Sequence, residues 1–291
     1  MGKPYRVAIT GASGFLGSEL VNFFSAKGWK VNALVRQPSG EAPVGVKYFA
    51  YDMTRKVPTQ ALADCDFLIH AAYIKQDKAH PDAMKQNVFA AKNLVVAAKK
   101  AGLRKSLFIS SMSAHDDAVS VYGKQKLRVE QLFNGSRDVI IRSGMIIGKG
   151  GIVLNMANFM KKAHAVPLIA GGTQPIQIVA VHDLARVIEK ALISETVRGT
   201  LTIGTPKVYS YKEFYAAIAK SLGIKVLFVP IPFNLLRYML KVIALLRLPL
   251  NINEENLLGM KKLRSFETAK DLKKVGVGLS DLETALTKAR L

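Results

Sequence analysis

The chain has 291 residues, 49% of them hydrophobic and 22% charged, a balance that excludes a disordered or fibrous protein and supplies a sizeable core. A single cysteine, Cys65, excludes an internal disulfide framework, suits a reducing cytoplasm, and reads as a small buried hydrophobe. The 42 Lys and Arg against 21 Asp and Glu give a net charge of +21, yet the basic residues are scattered, with no zinc-finger spacing and no RNA-binding aromatic box, so the charge reads as a surface bias and nucleic acid is not expected as a partner.

The first half alternates in period. Residues 6–10 (RVAIT) open it as a strand, leaving no room for a signal peptide, and Arg6 spoils a myristoylation motif at Met1-Gly2. Further β-rich apolar runs follow at 29–35, 46–51, 66–70, 106–111 and 138–142, as expected of buried parallel strands. Between two of them, Val88, Ala91, Leu94, Val95 and Ala98 recur at helical spacing on one face of residues 84–100. Strand and helix repeated in this way imply right-handed βαβ units in a doubly wound sheet. The second half predicts a helix at 151–163, a strand at 176–181, a helix at 183–193 with His182 and Asp183 capping its start, and a strand and helix near 201–204 and 211–223.

The stretch GASGFLG places glycines at 11, 14 and 17 between the first strand and a predicted helix. Gly11 permits a tight turn, Gly14 lets the backbone approach a pyrophosphate, and Gly17 lets the helix pack close to the strand. The helix N-terminus then offers free N–H groups to the phosphates. The second strand ends Leu34-Val35-Arg36-Gln37, without the carboxylate that would hold a ribose 2′-hydroxyl. Arg36 offers a guanidinium suited to a 2′-phosphate, which favours NADP(H) over NAD(H).

GASGFLG and the segments after it resemble the short-chain dehydrogenase/reductase superfamily in its extended or atypical branches, over most of residues 5–200. YDMT (51–54) is similar to the third-strand end, and HAAY (70–73) to the loop after the fourth strand. NVFAAKNLVVAAKKAG (87–102) is similar to the long helix, with Ala90 and Ala91 where its pattern has Gly and Thr. FISSMS (108–113) resembles the fifth strand with its serine, RSGMIIGKGG (142–151) the segment beside the nicotinamide with Ser143 in place of proline, and IVAVHDLARVI (178–188) the V-x-V-x-D-V-A segment. The resemblance implies an α/β fold, a Rossmann-type doubly wound parallel sheet with a smaller C-terminal substrate domain. Residues 1–150 would form the NADP-binding domain, its sheet completed by about 176–204. Residues 151–175 and 205–291 would form the substrate-binding domain. The implied cofactor contacts are Gly11, Ser13, Gly14, Phe15, Leu16, Gly17, Arg36, Asp52, Met53, Ala71, Ala72, Tyr122, Lys126, Ser143, Gly144 and Met145; no metal is implied.

Tyr122 and Lys126 stand four apart on a predicted helix, sharing a face, after the fifth strand and its serine. The resemblance makes Ser111, Tyr122 and Lys126 the catalytic set, with Asn87 as a helper. Ser111, with Ser110 as the alternative, would hydrogen-bond the substrate oxygen and steady the tyrosine. Lys126 would draw the phenol down toward the working range while Tyr122 moves the proton and hydride passes to or from a carbonyl carbon. The implied activity is an NADP(H)-dependent oxidoreductase acting on a carbonyl or alcohol. The interval of eleven positions from Ser111 to Tyr122 is shorter than extended sugar-nucleotide enzymes carry, which makes an epimerase or dehydratase the runner-up, and a non-catalytic NADPH-binding scaffold the third reading. Asp116 and Asp117 follow the serine where the resemblance gives dehydratases an acid pair, and read at least as much as helix-start residues; His115 reads as an exposed loop residue, with reach to the substrate as the alternative. The apolar run at 232–247 is too interrupted by charge and proline to span a membrane. It suits a packed helix or oligomer interface, a lid over a lipophilic substrate, or a peripheral membrane contact, and it leaves a homodimer open.

Overall fold

A computed structural model describes residues 3–38, 40–75, 80–233 and 262–291. The first half runs β1 (Arg6–Thr10), α1 (Phe15–Ala26), β2 (Lys30–Val35), β3 (Val46–Ala50), β4 (Phe67–His70), α2 (Ala83–Lys100), β5 (Lys105–Ser111), α3 (Val121–Glu130) and β6 (Val139–Ser143). Then follow β7 (Met145–Ile147), α4 (Gly151–Ala163), β8 (Ala165–Ile169), β9 (Pro175–Ile176), β10 (Ile178–Ala180), α5 (Val181–Ile193) and β11 (Gly199–Ile203). The remainder comprises β12 (Tyr209–Ser210), α6 (Tyr211–Ser221), β13 (Leu227–Ile231), α7 (Ala269–Val275) and α8 (Leu282–Ala289).

Seven strands form one sheet in the order β11-β6-β5-β4-β1-β2-β3, every pair parallel. Both faces are covered, which is why these strands are continuous apolar runs rather than alternating ones. Val7, Ile9, Val31, Ile69, Leu107 and Ile141 are fully enclosed beneath α1 and α5, while Ala8, Leu34 and Leu68 lie under α2. On α2 the expected face holds: Ala91, Leu94 and Ala98 are buried, with Val88 and Val95 at its margin. Lys99 and Lys100 close its last turn, where a cation favours the helix dipole. Lys105, at the start of β5, sends its ammonium into the other side of the sheet and donates to the carbonyls of Ala191, Ser194 and Val197 at 2.9, 2.5 and 2.9 Å, satisfying the end of α5 that no following turn could reach.

A second core gathers Val153, Ala157 and Met160 of α4, Phe214 and Ile218 of α6, and Leu282 and Leu286 of α8. Three short strand pairs, β10-β7, β12-β9 and β13-β8, brace it. The helix α6 starts in a complete capping box between Ser210 and Glu213.

The structure departs from the sequence expectations in four places. The strand expected at 176–181 is two: β9 pairs antiparallel with β12, and β10 pairs parallel with β7, outside the seven-stranded sheet. Gln177 lies between them: its side-chain amide donates to Thr205 O and Phe266 O and accepts from Phe266 N–H, while its backbone carbonyl accepts from Met145 N–H. Only β11 completes the main sheet from the region expected to do so. The tail is divided: Leu272, Val275 and Val277 pack on the sheet core rather than on the smaller unit, and α8 alone of these two helices joins the second core. Asp183 does not cap α5, whose N-cap is Ala180; its carboxylate accepts from Ser280 N–H at 2.7 Å and ties the tail to the helix. From residue 234 on, the apolar run at 232–247 lies outside the described residues, among which no helix is long and apolar enough to cross a membrane.

Candidate functional site

The glycine turn is built as its spacing demands. Gly11 has φ +69°, and a Cβ there would meet the Ala72 backbone at 2.8 Å. The N–H of Gly14 donates to Gly11 O at 2.9 Å and closes the turn. A Cβ on Gly17 would lie 2.0 Å from Gly11 O, so α1 can approach the turn only at a glycine. Gly14 is the N-cap of α1, no side chain caps that end, and no acidic residue occupies its first turn, which leaves backbone N–H groups for an anion. Phe15 turns away from this end and packs its ring against Gly148, Gly150 and Gly151, at the start of α4. Leu16 packs against the sheet core.

A groove of about 470 Å³ runs from the turn to the ends of β2 and β3, past Ser13, Arg36, Asp52, Met53, Ala71 and Ala72. Beside it a polar recess gathers Arg36, Arg55 and Lys56. The Asp52 carboxylate accepts from Thr54 N–H at 2.8 Å and from its hydroxyl at 2.7 Å. Those bonds, with Arg55 and Arg36 nearby, hold it below the usual carboxylate range. Tyr51 was not anticipated: it lines both spaces, its buried hydroxyl has no partner among the described residues, and burial pushes its pKa up to about 12, with Asp52 adding to the effect.

The loop after β4 is fixed from beneath. The N–H of Ala72 donates to Thr10 Oγ1 at 3.3 Å, and that oxygen lies 2.8 Å from His70 Nδ1. Burial, aided by the Lys126 charge, holds His70 at about 3, so it is neutral at physiological pH. Asn87 differs from the expected helper. Its Oδ1 accepts from Ile74 N–H, and its Nδ2 donates to Ile74 O and Ala83 O, so its amide is occupied in bracing this loop.

Ser111 ends β5, and Tyr122 and Lys126 lie one turn apart on α3. The helix is started by Ser120, whose hydroxyl accepts from Gly123 N–H; Asp116 and Asp117 precede the cap, and Asp117 pairs with Arg264 at 3.3 Å. Ser111 and Tyr122 line the same cleft, with the serine close enough to act on the phenol. Tyr122 as a whole is 38% exposed, its ring bordering the open cleft. Burial of the hydroxyl end raises its pKa and the nearby Ser111 hydroxyl opposes that rise, so the direction is opposite to the expected one. The Lys126 ammonium is buried, donates to Ile109 O at 2.8 Å, and lies 4.8, 5.2 and 5.8 Å from the ring centres of Phe108, Tyr73 and Tyr122. Burial brings it down to about 8, against the opposing charge of Glu130.

Glu130, one turn further along α3, accepts from Ser110 Oγ at 2.5 Å and from Nε and Nη2 of Arg142. This cluster joins the ends of β5, α3 and β6, which also carry Ser111, Lys126 and Ser143.

Tyr122 stands at the edge of a cleft of about 440 Å³, next to Ser143, Gly144 and Met145. Its wall is largely apolar, from Phe15, Met112, Ile146, Ile152, Ile176 and Tyr211. The segment 263–266 folds across one end, with Arg264 over the Phe266 ring at 5.1 Å. His115 also lines the cleft and is 6% exposed, a correction to the expected surface residue; Phe266 covers it from 151 positions downstream, a contact no local pattern announces.

The model of the NAD dependent epimerase/dehydratase family matches residues 7–204. An uncharacterized protein of Mycobacterium tuberculosis is 25% identical over 221 residues, 74% of this chain and 23% of that protein, so the chain spans about a quarter of that relative's length. The ceramide reductase of Caulobacter vibrioides is 27% identical over 192 residues, covering 62% of this chain and 58% of the reductase. The crystal structure of the human epimerase family protein SDR39U1 with NADPH superimposes with a TM-score of 0.77 at 19% identity, over 98% of this chain and 99% of that one, a likeness of fold.

Proposed function

The chain belongs to the NAD dependent epimerase/dehydratase family, and we propose that it is an NADP(H)-dependent oxidoreductase interconverting a ketone and an alcohol on an apolar substrate. The observation that carries this reading is the meeting of Ser111, Tyr122 and Lys126 where the glycine-turn groove adjoins an apolar cleft. The residues fit a dinucleotide: the turn has no room for a Cβ at Gly11 or Gly17, and the open end of α1 suits a pyrophosphate. Arg36, Arg55 and Lys56 suit a 2′-phosphate, which favours NADP(H). The NADPH in the structure of SDR39U1 is in keeping with this choice.

Bound NADP(H) supplies or accepts the hydride. The chain's own groups handle the oxygen. Ser111 donates to it and orients Tyr122, whose hydroxyl gives the proton in reduction or takes it in oxidation. Lys126 places a positive charge near the phenol, favouring the phenolate that reduction leaves behind. The seven-stranded unit acts as the cofactor half, and the second core with β8 and β13 as the substrate half. The apolar wall supports a lipophilic substrate, in line with the ceramide reductase of Caulobacter.

The test is NADPH oxidation by the wild type and Tyr122→Phe over a panel of apolar ketones. The expected result is a kcat loss of roughly 10²- to 10⁴-fold in the variant, with NADPH affinity unchanged. Equal rates would overturn the assignment. Tightly held NAD(H) and turnover of a nucleotide sugar without net redox change would replace it with an epimerase.

A further inference from the structure

His115 is 94% enclosed, and among the described residues neither of its ring nitrogens has a hydrogen-bond partner. Nδ1 is fully shielded, whereas Nε2 is not among the enclosed atoms, so the ring meets the cleft through its Nε2 side. A buried polar group without a partner costs about 1–3 kcal/mol. An apolar residue would fill this place without that cost, beside Met112 and the Phe266 ring. The chain pathway fixes where the ring stands. Ala114 N–H donates to Ser111 O at 2.8 Å, closing a turn that brings His115 back beside the serine of the candidate catalytic set. The cleft thus places His115 near Ser111 and Tyr122 on a largely apolar wall, which Ser113, Ser143, Gln177, Tyr211 and Arg264 also line.

On the reading that this cleft binds a ketone or alcohol, we propose that His115 hydrogen-bonds a second, uncharged oxygen of the substrate. The substrate class is then an apolar carbonyl or alcohol compound with a hydroxyl, ester or amide oxygen a few bonds from the reacting carbon. The electrostatic surroundings favour a neutral oxygen over a carboxylate. Burial, and then the charge of Arg264, hold His115 below its ordinary value, with Asp117 opposing, Arg142 adding and Asp116 opposing. A neutral imidazole offers one donor and one acceptor, which matches a hydroxyl or a carbonyl. Arg264 is already engaged with Asp117 and the Phe266 ring. A site built to hydrogen-bond an oxygen also discriminates strongly against an analogue that lacks it.

The experiment uses two ketones of equal chain length, ethyl 3-oxohexanoate and nonan-4-one, which differ in the ester group. Their affinities for the full chain saturated with NADP⁺ are measured by calorimetry, so no turnover is needed. The expected result is that the ratio of affinities, keto ester over ketone, falls tenfold or more in His115→Leu and His115→Phe and is largely recovered in His115→Asn. Two apolar variants are read in parallel so that one poorly folded protein does not decide the outcome. A ratio unchanged within threefold, a parallel loss of both ligands, or no binding of either probe to the wild type would overturn the proposal. NADPH oxidation is followed on the same protein preparations, supplied with NADPH in place of NADP⁺. Selective binding without turnover would sink the oxidoreductase reading and leave the role of His115 standing.

Discussion

Glu130 and Arg142 form a two-pronged ion pair, with Nε at 3.0 Å and Nη2 at 2.6 Å from the carboxylate, and the carboxylate is 6% exposed. Arg142 is the strand residue before Ser143, and Glu130 is one turn beyond Lys126. Removing only the guanidinium leaves a buried carboxylate with Ser110 as its remaining partner. Arg142→Met should therefore cost about 3–5 kcal/mol in urea denaturation, and the double variant Glu130→Leu/Arg142→Met should recover most of it. A loss below 1 kcal/mol would mean that the pair is dispensable.

Lys126 gives the stability a defined pH dependence. Its folded value of about 8 lies below the unfolded lysine value of 10.5, so between those limits the unfolded chain binds more protons than the folded one. Stability contributed by this site rises with pH through that window, and the cost of burying the charge is complete below it. Relative to Lys126→Met, the wild type should gain roughly 3 kcal/mol between pH 8 and 10.5. Denaturant midpoints of both proteins over that range check it, and a constant difference would contradict it.

The glycine turn should not tolerate a methyl group. At Gly17 a Cβ would stand 2.0 Å from Gly11 O and 2.9 Å from Ala12 Cα, both backbone atoms that cannot swing aside. Gly17→Ala should destabilise the chain by about 1–3 kcal/mol and weaken NADP⁺ binding at least tenfold. Thermal melts with and without NADP⁺ separate the two effects.

Arg36 should decide between the two dinucleotides. Charged hydrogen bonds of this kind contribute about 1.5–3 kcal/mol, so Arg36→Ala should weaken NADPH binding by roughly ten- to hundredfold and leave NADH within threefold. Fluorescence titration of each reduced cofactor reads this directly. Equal losses for both would move the 2′-phosphate contact elsewhere.

The sheet was legible because its strands are enclosed on both faces, which writes them as uninterrupted runs such as FLIH and VIIR. The glycine turn was legible because its steric demands admit one residue type. What escaped depends on chain returning from far away. Gln177, between two short strands, holds Phe266, Asp183 ties Ser280 to α5 besides pairing with Arg186 of its own helix, and His115 stands beside the ring of that same downstream segment. Tyr51 escaped for another reason: its place beside Asp52 is visible in the chain, but an enclosed hydroxyl is a property of the assembled groove.

Phe15 belongs to the first turn of α1, and its ring lies within a Cβ's reach of three glycines at the head of α4. The glycine turn and the helix that borders the apolar cleft therefore share one bearing surface. An added methyl at Gly148, Gly150 or Gly151 would push on the ring, and the ring is carried by the backbone that faces the pyrophosphate site. Damage at that joint would be transmitted to both halves together, so a lesion on the substrate side can present as a defect in dinucleotide binding.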